Sequence, residues 1–144
     1  MANRDQLVTT RTRPHILLVE AERKLRRTIT KFLERSGCQV TACPDLAAAS
    51  GALTRPSPRP SLIVLGARML DGDTAGTAWG LRDLAPEVPM LGIADVPYDD
   101  GGRQPSLPEN LRFLSPPFDM PDVLRAVRSL LHQAGFDGPL ELEA

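Results

Sequence analysis

The chain alternates short apolar runs with stretches of helical periodicity. The central run, Leu62–Ile63–Val64–Leu65, is wholly apolar and stops at Gly66. A run of this length bounded by turn residues reads as a strand buried on both faces. Such strands belong to parallel sheets covered by helices. Ligands of these sheets bind at the carboxyl ends of the strands, so the residue after Leu65 is expected at the functional end of the central strand. That residue is a glycine, which has no side chain. A turn-rich loop, Asp71–Gly72–Asp73, follows it.

The same alternation runs through the rest of the chain. His15–Ile16–Leu17–Leu18–Val19 reads as a first buried strand ending in Glu20–Ala21–Glu22. From Glu22 to Ser36, Leu25, Ile29, Phe32 and Leu33 recur at helical spacing. Gly37 is suited to stop that helix, whose other face carries Arg23, Lys24, Arg26, Arg27, Lys31 and Arg35. Gln39–Val40–Thr41–Ala42 alternates like an edge strand, and an alanine-rich helix is expected over Leu46 to Leu53. The proline-rich 55–60 segment is a stiff connector. Asp73 or Thr74 is placed to cap a third helix reaching about Leu84, weakened by Gly76 and Gly80. Met90–Leu91–Gly92–Ile93–Ala94 and Leu111–Arg112–Phe113–Leu114 read as fourth and fifth strands. Between them, Pro97, Gly101, Gly102, Pro105 and Pro108 allow one or two helical turns rather than a full helix. Asp119, with Asp122 three residues on, caps a last helix whose Leu124, Val127, Leu131 and Ala134 share one face, and Gly135 ends it. Strands alternating with helices at this spacing predict a parallel α/β sandwich of five strands.

Composition narrows the function classes. At 144 residues the chain is long enough for one domain with a real core. The expected division is a polar tail over 1–13, the domain over 14–134 and a short acidic tail over 135–144. A net charge of -1 gives no global case for nucleic acid or an anionic membrane. No apolar run approaches the roughly 20 residues of a membrane span, and residues 1–14 lack the apolar core of a signal peptide. Cys38 and Cys43 flank one predicted strand and point to opposite faces, so they read as unbridged thiols in a reducing cytoplasm. His15 and His132 are isolated, and no Gly-x-Gly-x-x-Gly or phosphate loop follows the first strand. Nothing argues for an enzyme, and no cofactor is expected.

The residues now point to a family. The chain resembles a bacterial response-regulator receiver domain from Pro14 to about Ala134. The resemblance is carried by residues 16–22, Leu62 to Asp73, Pro86–Glu87–Val88–Pro89 and residues 113–118, in that order and spacing. It implies a flavodoxin-like, CheY-like (βα)5 three-layer sandwich with strand order 2-1-3-4-5, here with a shortened or irregular helix between the fourth and fifth strands. Receivers accept a phosphoryl group on an aspartate ending the third strand. Two acidic residues after the first strand hold Mg²⁺, which needs hard oxygen ligands. A hydroxyl ending the fourth strand and a lysine ending the fifth bind the phosphoryl oxygens.

Carried across, the acceptor falls on Gly66, the acidic pair on Glu20 and Ala21 with Glu22 following, the hydroxyl on Ala94 and the lysine on Pro116. Glycine cannot accept a phosphoryl group, and alanine and proline supply neither a hydroxyl nor an ammonium group. The sheet-forming runs around each are intact. The resemblance is therefore to a pseudo-receiver: Glu20, Ala21, Glu22, Gly66, Ala94 and Pro116 mark a vestigial phosphorylation pocket.

The reading that follows is a cytoplasmic, non-catalytic signalling adaptor. It would act by phosphorylation-independent binding to a protein partner: a kinase, a regulator, another signalling protein or a second copy of itself. Two surfaces are candidates: the basic helix face with Arg23 and Arg27, and the surroundings of Phe113, which falls where receivers carry an aromatic switch residue. The alternative is a small ligand or metal ion in the vacated pocket, among Glu20, Glu22, Asp71 and Asp95, or a crevice that Arg68 enters to pair Glu20. The Pro116–Pro117 bond, matching one that receivers commonly keep cis, is expected to be cis.

Overall fold

The computed structural model describes residues 13–55, 59–67, 72–94 and 108–135, with the backbone alone at 67, 72–75 and 94. In chain order the elements are β1 (His15–Val19), α1 (Arg23–Arg35), β2 (Gln39–Cys43), α2 (Leu46–Leu53), β3 (Leu62–Ala67), α3 (Gly72–Leu84), β4 (Met90–Ala94), β5 (Leu111–Leu114) and α4 (Met120–Gln133). The five strands form one parallel sheet in the order β2-β1-β3-β4-β5. This is the expected topology, with β2 and β5 at the edges.

Alternation along the strands divides the core into two layers. Ile16, Leu18, Leu62, Val64, Leu91 and Ile93 face α1 and α4, where they meet Ile29, Leu33, Leu124 and Val127. Leu17, Val19, Ile63, Leu65 and Met90 face α2 and α3, against Ala49, Leu53, Ala78 and Leu81. Cys38 packs in the first layer and Cys43 in the second, both as free thiols. Cys43 is the last residue of β2 rather than a flanking one.

The helix ends follow local chemistry. Glu22 caps α1 by accepting the Leu25 N–H, and Gly37 turns the chain out with φ +102°. Asp45 caps α2 through the Ala48 N–H. Asp119 and Asp122 form the expected capping box on α4, which Gly135 leaves with φ +94°. The Pro116–Pro117 bond is cis.

Three further boundaries differ from the sequence expectations. β3 does not stop before Gly66. Its pairing with β4 continues through Gly66↔Ile93 and Ala67↔Ala94, because backbone pairing needs no apolar side chain. α3 begins at Gly72, ahead of both expected caps, Asp73 and Thr74. Ala134 is not on the buried face of α4: it is the exposed C-cap. The expectations for Arg68, Asp71, Asp95 and the segment between β4 and β5 fall outside the described residues.

Candidate functional site

The carboxyl ends of β1 and β3 bring Glu20 and Gly66 together. Leu18 pairs with Val64 and Val19 with Leu65, so the next rung sets Glu20 beside Gly66. Neighbouring strands lie about 4.8 Å apart, and the two residues project to the same face of the sheet. Glu20 is 6% exposed. A Cβ built on Gly66 would lie 2.6 Å from the Glu20 Cδ and closer still to its Oε1. The carboxylate of Glu20 thus occupies the space in which a side chain at position 66 would begin.

The loop after β1 holds that carboxylate in place. Glu20 Oε2 accepts the Glu22 N–H at 2.8 Å, and the Glu20 N–H donates to the Cys43 carbonyl at 2.9 Å. Arg26 Nη1 donates to the Glu20 carbonyl at 2.9 Å and to the Ala21 carbonyl at 3.3 Å. The Glu22 carboxylate is spent on the helix cap, and Ala21 is exposed. Ala94 ends β4 beside Ala67, and Pro116 is half-buried just past β5. Of the acidic and vacated positions read from the sequence, the structure therefore joins Glu20 to Gly66 and turns Glu22 to a structural task.

The described residues do not by themselves assemble a Mg²⁺ site. Such an ion needs several oxygen ligands in near-octahedral array. Among the described residues no three His, Cys, Asp or Glu side chains are placed to hold a metal.

The two candidate partner surfaces lie apart. Arg23 and Arg27 are exposed on α1. Phe113 lies on β5 opposite Gly92 of β4, and its ring packs over that glycine: a Cβ there would lie 2.6 Å from the ring. The aromatic is half-buried against the sheet on the α2–α3 face.

Three features escaped the sequence reading. Trp79, on α3, is 42% exposed. Arg82 fans its Nη1 across the carbonyls of Ala85, Pro86 and Val88 at 3.1, 3.0 and 2.7 Å, pinning the turn into β4. Burial lowers the pKa of that guanidinium. His15 is buried and shares a 2.7 Å hydrogen bond with Thr41 Oγ1. It lines a cleft of about 410 Å³ at the amino-terminal end of the sheet, with Arg13, Glu34 and Gln39.

Solved structures that superpose on the chain include receiver domains. The chain superposes on a response regulator receiver protein from Sinorhizobium medicae with a TM-score of 0.68 and 24% identity, over 85% of this chain and 97% of that one. A signal receiver domain of an HD domain-containing protein from Pseudomonas fluorescens matches with a TM-score of 0.67 and 21% identity, over 87% and 99%. A structure named as adenylate cyclase from Rhodopirellula baltica matches with a TM-score of 0.66 and 22% identity, over 85% and 90%. No protein-family profile and no curated protein matches the chain. The fold is the CheY-like receiver fold, and at these identities the likeness speaks for the fold alone.

Proposed function

We propose that the chain is a pseudo-receiver: a signalling module that works without phosphorylation, by binding another protein. The observation that carries this reading is Glu20 lying over Gly66. The position that would bear the acceptor has no side chain, and the room it leaves is filled by the chain's own carboxylate. An aspartate at 66 would meet Glu20 before it met a phosphoryl donor. A hydroxyl and an ammonium group are missing at Ala94 and Pro116 as well. What persists is the sheet, both core layers and the exposed helix faces, which are the parts a binding module needs.

The test is direct. The purified protein is incubated with acetyl phosphate and Mg²⁺ and followed by phosphate-affinity electrophoresis and intact mass. No phosphoprotein and no change in Tm is the expected result. Stoichiometric phosphorylation at any residue overturns the reading. Affinity capture from source-cell extract, wild type against Phe113→Ala and Arg23→Glu/Arg27→Glu, tests the binding half. A specific protein lost in one variant assigns the surface, and no protein bound by the wild type refutes it.

A further inference from the structure

At the amino-terminal end of the sheet the chain builds a second polar cleft, of about 410 Å³, lined by Arg13, His15, Glu34, Gln39 and Thr41. It forms beside β2, an edge strand whose outer side has no neighbour in the sheet. The end of α1 brings Glu34 to it, and the turn at Gly37 leads the chain back along β2. His15 opens β1, and Glu20 follows the end of that strand. At roughly 3.3 Å per residue the cleft therefore lies about 16 Å from the contact between Glu20 and Gly66.

The floor of the cleft is fixed. The β1–β2 register sets His15 beside Gln39 and Leu17 beside Thr41, so His15 and Thr41 share one face of the sheet. His15 is 9% exposed, and its Nε2 lies 2.7 Å from Thr41 Oγ1. The other ring nitrogen, Nδ1, is buried with no hydrogen-bond partner among the described residues. An unpaired buried polar group costs stability, and an apolar residue at the start of β1 would avoid that cost. What the imidazole supplies is a fixed hydroxyl. With its proton on Nε2 it donates to Thr41 Oγ1 and leaves the hydroxyl hydrogen to be donated to something else.

The rim is charged and unpaired. Arg13, Glu34 and Gln39 are exposed, and neither Arg13 nor Glu34 makes a hydrogen bond or an ion pair through its side chain. Opposite charges thus stand in one cleft without neutralising each other. The pull of Arg13 on the Cys38 thiol, which also lines the cleft, places the guanidinium charge close to that lining.

We propose that this cleft binds a free α-amino acid, its carboxylate taken by Arg13 and the Thr41 hydroxyl and its ammonium group by Glu34. The inference goes beyond the protein-binding reading and does not depend on it. A ligand of one charge fits less well: an inorganic anion gains Arg13 but faces Glu34, and a diamine gains Glu34 but faces Arg13. A zwitterion gains both, through hydrogen bonds between ionised groups, which are the strong ones. The volume falls in the lower part of the ~300–1,000 Å³ range of small-molecule pockets. Half-buried Val40 offers an apolar ligand side chain a surface to lie on.

The full-length protein is screened by thermal unfolding with each proteinogenic L-amino acid up to about 10 mM, and those that raise Tm are titrated by calorimetry. The expected result is a concentration-dependent rise in Tm, as for any ligand that binds the folded state alone, with an apolar amino acid among the tightest. The amide and the N-acetyl derivative of that amino acid each keep one charge and should bind at least tenfold more weakly. Arg13→Gln and Glu34→Gln should each weaken binding at least tenfold; both side chains are exposed and unpaired, so both variants keep the wild-type Tm without ligand. Thr41→Val should weaken binding and Thr41→Ser restore it. No binding by any amino acid, an amide or N-acetyl derivative bound as tightly as the amino acid itself, or full affinity in both charge variants overturns the proposal. Tighter binding of inorganic phosphate or putrescine overturns it too.

Discussion

Replacing Gly66 with alanine measures how firmly Glu20 holds its place. Gly66 is not among the residues with positive φ, which are Gly37, Gly135 and Asn110 among those described, so its backbone accepts an L residue. Taken alone, glycine to alanine inside a strand stabilises by roughly 0.5–1 kcal/mol through lost chain entropy. Here the new Cβ would stand 2.6 Å from the Glu20 Cδ, well inside contact distance, and the carboxylate has to leave. Leaving breaks the bond from the Glu22 N–H to Oε2, and a hydrogen bond to a charged group contributes about 1.5–3 kcal/mol. The net expectation is a loss of about 1–2 kcal/mol, or a fall in Tm of roughly 3–6 °C for a chain of this size. In a Glu20→Ala background the sign reverses, because nothing opposes the Cβ: Gly66→Ala then stabilises by roughly 0.5–1 kcal/mol. Urea and thermal unfolding of the four proteins, followed by far-UV circular dichroism, close the cycle. A coupling below about 0.5 kcal/mol, the ordinary range for independent sites, refutes the placement of Glu20 over Gly66.

Three further outcomes are expected. Burial pushes the Cys38 thiol up to about 11 from 9.0, against the pull of Arg13, and burial also raises Cys43. The unfolded thiols ionise first, so the stability this represents is complete below pH 9 and is lost as pH rises toward 11; the urea midpoint should drop over that range, and less in Cys38→Ala. Below pH 9 a disulfide-exchange reagent should label the native protein far more slowly than the denatured one, and equal rates contradict the burial. Arg82→Met keeps the aliphatic stem but removes three bonds to the carbonyls of Ala85, Pro86 and Val88, costing on the order of 2–4 kcal/mol; a Tm within 2 °C of wild type, using about 2–4 °C per kcal/mol, shows the fan is idle. Gly76 is exposed within α3, and a Cβ there meets nothing within 4 Å, so Gly76→Ala should stabilise by about 0.5–1 kcal/mol, read by the same thermal unfolding.

Element identity was legible because it rests on period. β1, β4 and β5 fall where their apolar runs fall, and α1 shows Leu25, Ile29, Phe32 and Leu33 on the face that the structure buries. The misplaced boundaries of β3, α3 and α4 share a cause: they lie at glycines and alanines. Gly66 and Ala67 contribute full backbone pairing to β3 without any side-chain signal. Gly72 opens α3 although glycine is a poor helix former. Arg82 was illegible for a different reason. Its acceptors are main-chain carbonyls, which every residue has, so no residue type marks the contact.

The candidate site was legible residue by residue but not as an arrangement. The sequence shows that Gly66, Ala94 and Pro116 carry no carboxylate, hydroxyl or ammonium group, and that Glu20 follows β1. It does not show that these facts are coupled, because the coupling lives in the register between β1 and β3. Once Leu18 is set beside Val64 and Val19 beside Leu65, Glu20 and Gly66 become a long side chain and an empty position on adjacent strands, and the one fills the other. Gly66 then has a structural requirement of its own. Any side chain there displaces a buried carboxylate from a hydrogen bond. On this argument position 66 is not simply empty. It is held open for Glu20, and an aspartate placed at 66 would have to displace that carboxylate before its own could be seated.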